Sequence, residues 1–235
     1  IPEYVQDGAA DVGITGIDLI TERGAKVEAL LDLNFGKANL VLAVPEDSKF
    51  QKAQDLEGKK IATEFPEITN QYFKKLGVNV EIIKVSGACE MTPHVGIANA
   101  IVDISSSGTT LIINRLKAID TVFSSTVYLI ANKESLKTKD KILDIKTALE
   151  SVLNAKQKRY LMMNVPESSL KAVKEVLPGM SGPTVMKVET SKLSGESILA
   201  VHAVVDADLI FTIVNKLKKV GARDVLVVPI ERIMP

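Results

Sequence analysis

The run Ser105-Ser106-Ser107-Gly108-Thr109-Thr110 follows directly on the apolar stretch Ala100 to Ile104. It places hydroxyls, a glycine and a row of backbone N–H groups where a strand should give way to a helix. Leu111, Ile112, Leu116 and Ile119 then recur at roughly helical spacing. A helix beginning near Thr109 turns its unpaired N–H groups and positive dipole end toward the loop, so the guest such a loop suits is a phosphate monoester. Each charge-assisted hydrogen bond is worth about 1.5–3 kcal/mol, and several together offset much of the dehydration of a dianion. Asp103, just before the loop, would repel a phosphate. It points instead to a ligand that also carries hydroxyls, a sugar phosphate, as acidic residues serve ribose in dinucleotide folds. The same residues also read as an ordinary Ser/Gly turn with a threonine cap, and spacing does not separate the two.

Further positions carry weaker signals. Asp11-Val12-Gly13-Ile14-Thr15-Gly16 puts a glycine and a threonine at a strand end, where backbone could approach a ligand or simply turn tightly. Phe65, beside Pro66, could stack on a planar base or pack in the core. Glu90 follows the turn Ser86-Gly87-Ala88-Cys89 and opens a helix, where a glutamate serves the dipole. Cys89 reads as a buried thiol, and His94 and His202, each isolated in sequence from partner residues that would suggest a metal site or a triad, read as structural. The charge run Lys137 to Lys146 is a solvated helix face.

The elements that must position these residues alternate from Ile1 to about Asn132. Strands are expected at Ala10–Ile14, Val27–Leu31, Ala38–Val44, Lys59–Thr63, Val80–Val85 and Ala100–Ile104, with helices at Ile17–Arg23, Thr69–Leu76 and Met91–Gly96. Such repetition predicts a mostly parallel sheet with ligands at the carboxyl ends of its strands. Three crests carry small polar residues: Thr15-Gly16, Thr63 to Pro66, and Ser105 to Thr110. Val122 to Ile130 reads as one returning strand, and Lys133 to Lys141 opens a long helix reaching about Lys156.

The remaining chain reads strand Tyr160–Val165, helix Glu167–Leu177, strand Thr184–Val188, strand Ile198–Val205, a helix capped by Asp206 and ended by Gly221, and strand Val225–Ile230. This βαββαβ order predicts a ferredoxin-like domain with helices on one face of an antiparallel sheet. No metal-ligand spacing and no paired nucleophile and base stand out there, so its work is binding or assembly.

Composition excludes several classes. The 235 residues include 29 basic and 29 acidic side chains, a balance that indicates neither a nucleic-acid footprint nor a polybasic membrane patch. The single cysteine excludes an internal disulfide framework and fits a reducing, cytoplasmic setting. Apolar runs are strand-sized, and no secretory leader is visible in a chain that begins Ile1-Pro2-Glu3.

Taken in order, Ala10 to Gly16, Lys60 to Thr63 with Phe65-Pro66, Ala100 to Leu111, Tyr160 to Pro166 and Val201 to Val205 resemble ATP phosphoribosyltransferase of histidine biosynthesis. The βαββαβ tail matches the long, regulated form. The resemblance implies a two-lobed, periplasmic-binding-protein-like α/β region plus the ferredoxin-like domain. The expected division is residues 1–41 with 118–148 as lobe I, 42–117 as lobe II, and 157–235 as the regulatory domain. It implies that N1 of ATP displaces pyrophosphate from C1 of phosphoribosyl pyrophosphate, with Mg2+ travelling on the pyrophosphate, and that histidine inhibits a homo-oligomer, dimer or hexamer.

Carried onto this chain, the resemblance implies that Asp103 holds the ribose hydroxyls and that Ser106, Ser107, Gly108, Thr109 and Thr110 hold the 5-phosphate. Asp11, Gly13 and Thr15 would border the nucleotide, Phe65 would stack near adenine, and Glu90 would face the active cleft in a role left open. Asn164 and Thr184 fall at histidine-site positions. Two departures stand out: the family's first strand, with its Lys/Gly/Arg-bearing segment, precedes the point where this sequence starts, and Asn99 carries an amide where an acid is frequent. The rival reading is a non-catalytic two-lobed receptor for a small ligand.

Overall fold

The computed structural model describes residues 1–105, 108–177, 182–189 and 197–234. They divide into two compact units, Ile1–Lys146 and Thr147–Pro235.

The first unit contains two sheets. In one, β1 (Val12–Gly16) and β2 (Glu28–Asp32) flank β8 (Val127–Ala131), both antiparallel to it. With α1 (Pro2–Gln6), α2 (Ile17–Arg23) and α5 (Lys133–Thr138) this forms lobe I. Lobe II is built on five strands in the order β5-β4-β6-β3-β7: β3 (Ala38–Pro45), β4 (Lys60–Thr63), β5 (Glu81–Lys84), β6 (Ala100–Ser105) and β7 (Leu116–Ser125). The chain crosses between lobes twice, through residues 33–37 and at Thr126.

Burial on both faces of the larger sheet explains the unbroken apolar runs of β3 and β6. Alternate residues divide between the faces. Leu40, Leu42, Val44, Ile61, Ala100 and Val102 pack with Phe65, Ile68 and Phe73, the latter two on α3 (Pro66–Leu76). On the other face Val41, Ala43, Ala62 and Ile101 meet Cys89, Ala98, Leu116 and Leu111, the last on α4 (Thr109–Ile113). Each fully buried leucine or isoleucine contributes about 1.5–3 kcal/mol.

Five expectations are corrected. The sheets are mainly antiparallel: β4 runs parallel to β5 and to β6, and the connections from β4 to β5 and from β5 to β6 are the long crossovers that parallel pairing needs, the first through α3 on one face and the second through the segment bearing Cys89 and Ala98 on the other. The returning segment is two strands, not one, since Thr126 breaks the pairing and β8 joins the other sheet. The strand pairing thus puts 118–125 in the sheet of lobe II, where 118 had been expected to open the return to lobe I. The helix after the Ser/Gly/Thr loop is a single turn and a half: Arg115, at φ 50°, reverses the chain, and Leu116 and Ile119 belong to β7. Met91–Gly96 is not an α-helix. It follows a short 3₁₀ turn, Cys89–Met91, entered through Ala88 at φ 50°.

α6 (Lys141–Lys156) leads into the second unit. There β9 (Lys158–Pro166), α7 (Leu170–Val176), β10 (Thr184–Lys187), β11 (Ile198–Asp206), α8 (Ile210–Lys219) and β12 (Arg223–Pro229) realise the βαββαβ order. The sheet runs β10-β11-β9-β12, antiparallel throughout. Leu161, Met163, Val165, Val201 and Ala203 face Val173, Ile213 and Leu217 of the helices in one core. Asp206 makes no side-chain cap; its carboxylate instead accepts from Lys158 Nζ at 2.6 Å.

Candidate functional site

The carboxyl ends of β4, β5 and β6 lie side by side in lobe II. Their registers place Thr63 between Lys84 and Val102. Beyond these ends stand Glu64-Phe65, Ser86 to Glu90, and the Ser/Gly/Thr loop. Three acidic residues meet there. Glu64 accepts a hydrogen bond from Gly87 N, and Glu64 and Glu90 both act electrostatically on Asp103. Burial raises the Asp103 carboxyl above its ordinary range, the Ile104 N–H at 2.7 Å opposes that rise, and the charges of Glu90 and Glu64 add to it. Cys89 is buried, its sulfur 3.3 Å from Ala62 O, and its thiol is pushed up to about 12 by burial and then by Asp103, Glu64 and Glu90.

Gly108 begins α4 at φ 76°, a conformation that only glycine adopts without strain, and a Cβ there would meet open space. Its N–H donates to Ser105 Oγ at 3.1 Å, so the loop already spends one amide on itself. Thr109 and Thr110 are exposed. Ser106 and Ser107 lie outside the described residues.

A cleft of about 410 Å³ opens between the lobes, lined by Leu19, Glu22 and Arg23 of α2 and by Glu64, Phe65, Lys84, Val85 and Ser86 of lobe II. Phe65 is 7% exposed and belongs to the lobe II core, so the residue borders the cleft with most of its side chain packed away. The structure separates the β1 residues from one another. Asp11, before the strand, binds Lys139 Nζ at 2.7 and 2.8 Å and Ser135 Oγ at 2.6 Å; these hydrogen bonds, Lys139 first, hold its carboxyl below the usual range. Gly13 is required by packing, since a Cβ would stand 2.8 Å from Ile1 Cγ2 and 2.9 Å from Val5 Cγ2. Thr15, at the far end of the strand, is buried with its hydroxyl unpaired.

In the second unit Asn164 and Thr184 share the sheet face opposite the helices, because Thr184 pairs with His202 and His202 with Met162, two residues from Asn164. Strand geometry sets them about 12 Å apart. Asn164 Nδ2 donates to Asp224 Oδ2 at 2.9 Å, and on the same face the Tyr160 hydroxyl lies 3.0 Å from His202 Nδ1.

Among the described residues no three His, Cys, Asp or Glu side chains are placed to hold a metal ion, and no helix is long and apolar enough to cross a membrane. Glu22 was not singled out by sequence reasoning; its role depends on a residue 45 positions away and leaves no local signal.

A two-lobed α/β unit with a cleft between its lobes, followed by a ferredoxin-like domain, defines the class. The family model for ATP phosphoribosyltransferase matches residues 1–151, and that for the HisG C-terminal domain matches 155–232. The chain is 91% identical over 235 residues to an ATP phosphoribosyltransferase of Methanosarcina barkeri, covering all of this chain and 81% of that one. It is 54% identical over 240 residues to one of Methanocaldococcus jannaschii, again over all of this chain and 82% of the relative. Among solved structures, the ATP phosphoribosyl transferase (HisG:HisZ) complex from Thermotoga maritima superposes with a TM-score of 0.59 at 30% identity, over 66% of this chain and 75% of that chain. The chain belongs to the ATP phosphoribosyltransferase family of phosphoribosyl-transferring enzymes, and the non-catalytic receptor reading gives way to it.

Proposed function

We propose that this chain performs the first step of histidine biosynthesis, in the cytoplasm, and is inhibited by histidine. The N1 lone pair of ATP forms a bond to C1 of phosphoribosyl pyrophosphate as the C1–O bond breaks and its electron pair departs with pyrophosphate. Positive charge develops on the ribose ring as the bonds exchange, so positioning and electrostatics carry the step rather than a covalent enzyme intermediate.

The observation that carries this reading is the placement of Asp103 near the carboxyl end of β6, with α4 starting at Gly108-Thr109-Thr110 a few residues further on and with Glu90 and Glu64 acting on its carboxyl. An acidic crest suits hydroxyls and a developing cation. The exposed threonines and the residues beside them suit the 5-phosphate. Asp103 thus holds ribose hydroxyls; Ser106, Ser107, Gly108, Thr109 and Thr110 hold the ester; and Glu90 faces the ring. The nucleotide occupies the interlobe cleft, with Phe65 in its wall, while Asp11, Gly13 and Thr15 act on it by shaping β1.

The hard oxygen donors at this crest fit Mg2+ as a companion of the pyrophosphate, bound largely through water and substrate oxygens. When bound, it neutralises the leaving group. Histidine binds the helix-free sheet face near Asn164 and Thr184, and it inhibits by preferring one assembly of the homo-oligomer, dimer or hexamer, over another.

Mass-spectrometric detection of phosphoribosyl-ATP after incubation with ATP, phosphoribosyl pyrophosphate and Mg2+ tests the reaction. Its appearance, and its suppression by histidine in the parent chain but not in Asn164→Leu, is the expected result. Product formation indifferent to histidine in the parent would refute the inhibition.

A further inference from the structure

We propose that Glu22 is a positioning residue that latches the two lobes across the cleft by capping a helix of the opposite lobe. α3 begins without a cap of its own: its N-cap is Phe65, which makes no side-chain cap, and among the described residues no side chain of lobe II accepts from its first turn. Pro66 at N1 has no N–H to satisfy. Phe65 N is taken by Thr63 Oγ1 at 2.9 Å, and Thr69 N by Phe65 O at 3.0 Å, the first bond of the helix. That leaves two free amides, on Glu67 and Ile68.

Both go to Glu22. Glu67 N donates to its two carboxylate oxygens at 3.2 and 3.1 Å, and Ile68 N donates to one of them at 3.0 Å. Glu22 lies in the last turn of α2, in lobe I. The unpaired amides and the positive dipole end of an eleven-residue helix in lobe II therefore meet a carboxylate supplied by lobe I.

The same side chain lines the cleft beside Glu64, Phe65 and Lys84. Parting the lobes breaks charge-assisted hydrogen bonds and returns both the helix end and the carboxylate to water. The contact fixes the aperture at which groups on α2 face groups on the lobe II crest. Without it, each ligand must draw the lobes together at the expense of its own binding.

The latch is tested in the full chain by pulsed electron spin resonance between labels at Lys26→Cys and Lys75→Cys, exposed sites in lobe I and lobe II respectively. Cys89, buried with a thiol pushed up to about 12, stays unlabelled. A single narrow distance distribution is expected with Glu22 present, a broader and longer one in Glu22→Ala, and an intermediate one in Glu22→Gln, which keeps an acceptor but not the charge. Steady-state kinetics should show KM for ATP and for phosphoribosyl pyrophosphate rising together, about tenfold in Glu22→Ala, with kcat retained. Superimposable distributions in all three proteins would overturn the latch, as would a fall in kcat at unchanged KM. Where Glu22→Ala does not fold, the isosteric Glu22→Gln decides. The kinetic arm rests on the proposed reaction; the distance arm does not, so the two fail separately.

Discussion

Ser125 Oγ donates to the Asp18 carboxylate at 2.6 Å, and the Asp18 N–H reaches the same oxygen at 3.4 Å, joining the end of β7 to the first turn of α2 at the crossing between lobes. Both side chains are buried. Removing the hydroxyl leaves a buried carboxylate short of a donor. Ser125→Ala should cost about 1–3 kcal/mol in urea unfolding, and Asp18→Asn in that background should recover part of the loss. Equal stability of Ser125→Ala and parent would show that the carboxylate has another donor.

Asp103 is expected to trade stability for function. Its folded pKa is raised by burial, against the Ile104 N–H, and further by Glu90 and Glu64. The folded protein therefore holds this proton to higher pH than the unfolded chain does. The favourable contribution is full below the unfolded value of about 3.9 and is lost as pH rises through the raised folded value. At neutral pH the charged carboxylate is a burden. Asp103→Asn should unfold at higher urea than the parent at pH 7, with the gap closing at acid pH, while losing affinity for phosphoribosyl pyrophosphate. A variant destabilised at pH 7 would contradict the electrostatic account.

Cys89 should be inert while the protein is folded. With its thiol pushed up to about 12, the thiolate fraction at pH 8 is on the order of one in ten thousand, and its burial blocks access as well. A disulfide reagent should label it at the rate of unfolding, accelerating with urea. Complete labelling within seconds in native buffer would refute this placement.

Alternation made the tail readable: Leu161, Met163 and Val165 against Val201, Ala203 and Val205 is a period of two that only a half-buried sheet produces. Four of the five strands of lobe II, β3 to β6, were equally plain, but their direction was not, and β7 was divided between an expected helix and an expected return strand. Parallel and antiparallel buried strands share the same unbroken apolar composition, so β3 looks no different from β6. The run Leu111, Ile112, Leu116, Ile119 fits a helix as well as a helix followed by a strand, and the positive φ of Arg115 that separates them has no glycine to announce it. The end of β6 at Asp103 to Ser105 and the helix start at Gly108 were legible because neighbours in sequence form them. The cap from Glu22 to Glu67 and Ile68, like the pairing of Asp11 with Lys139, joins residues far apart in the chain, and pattern cannot show it.

The central claim concerns the loop that follows β6. Calorimetric titration of phosphoribosyl pyrophosphate with Mg2+ into the parent and into the double variant Gly108→Ala, Thr109→Ala, with histidine titrated in parallel, tests it most directly. A loss of about tenfold or more in affinity for the sugar ester, with histidine binding unchanged, is the expected result. Undiminished binding of the ester in a folded double variant would contradict it.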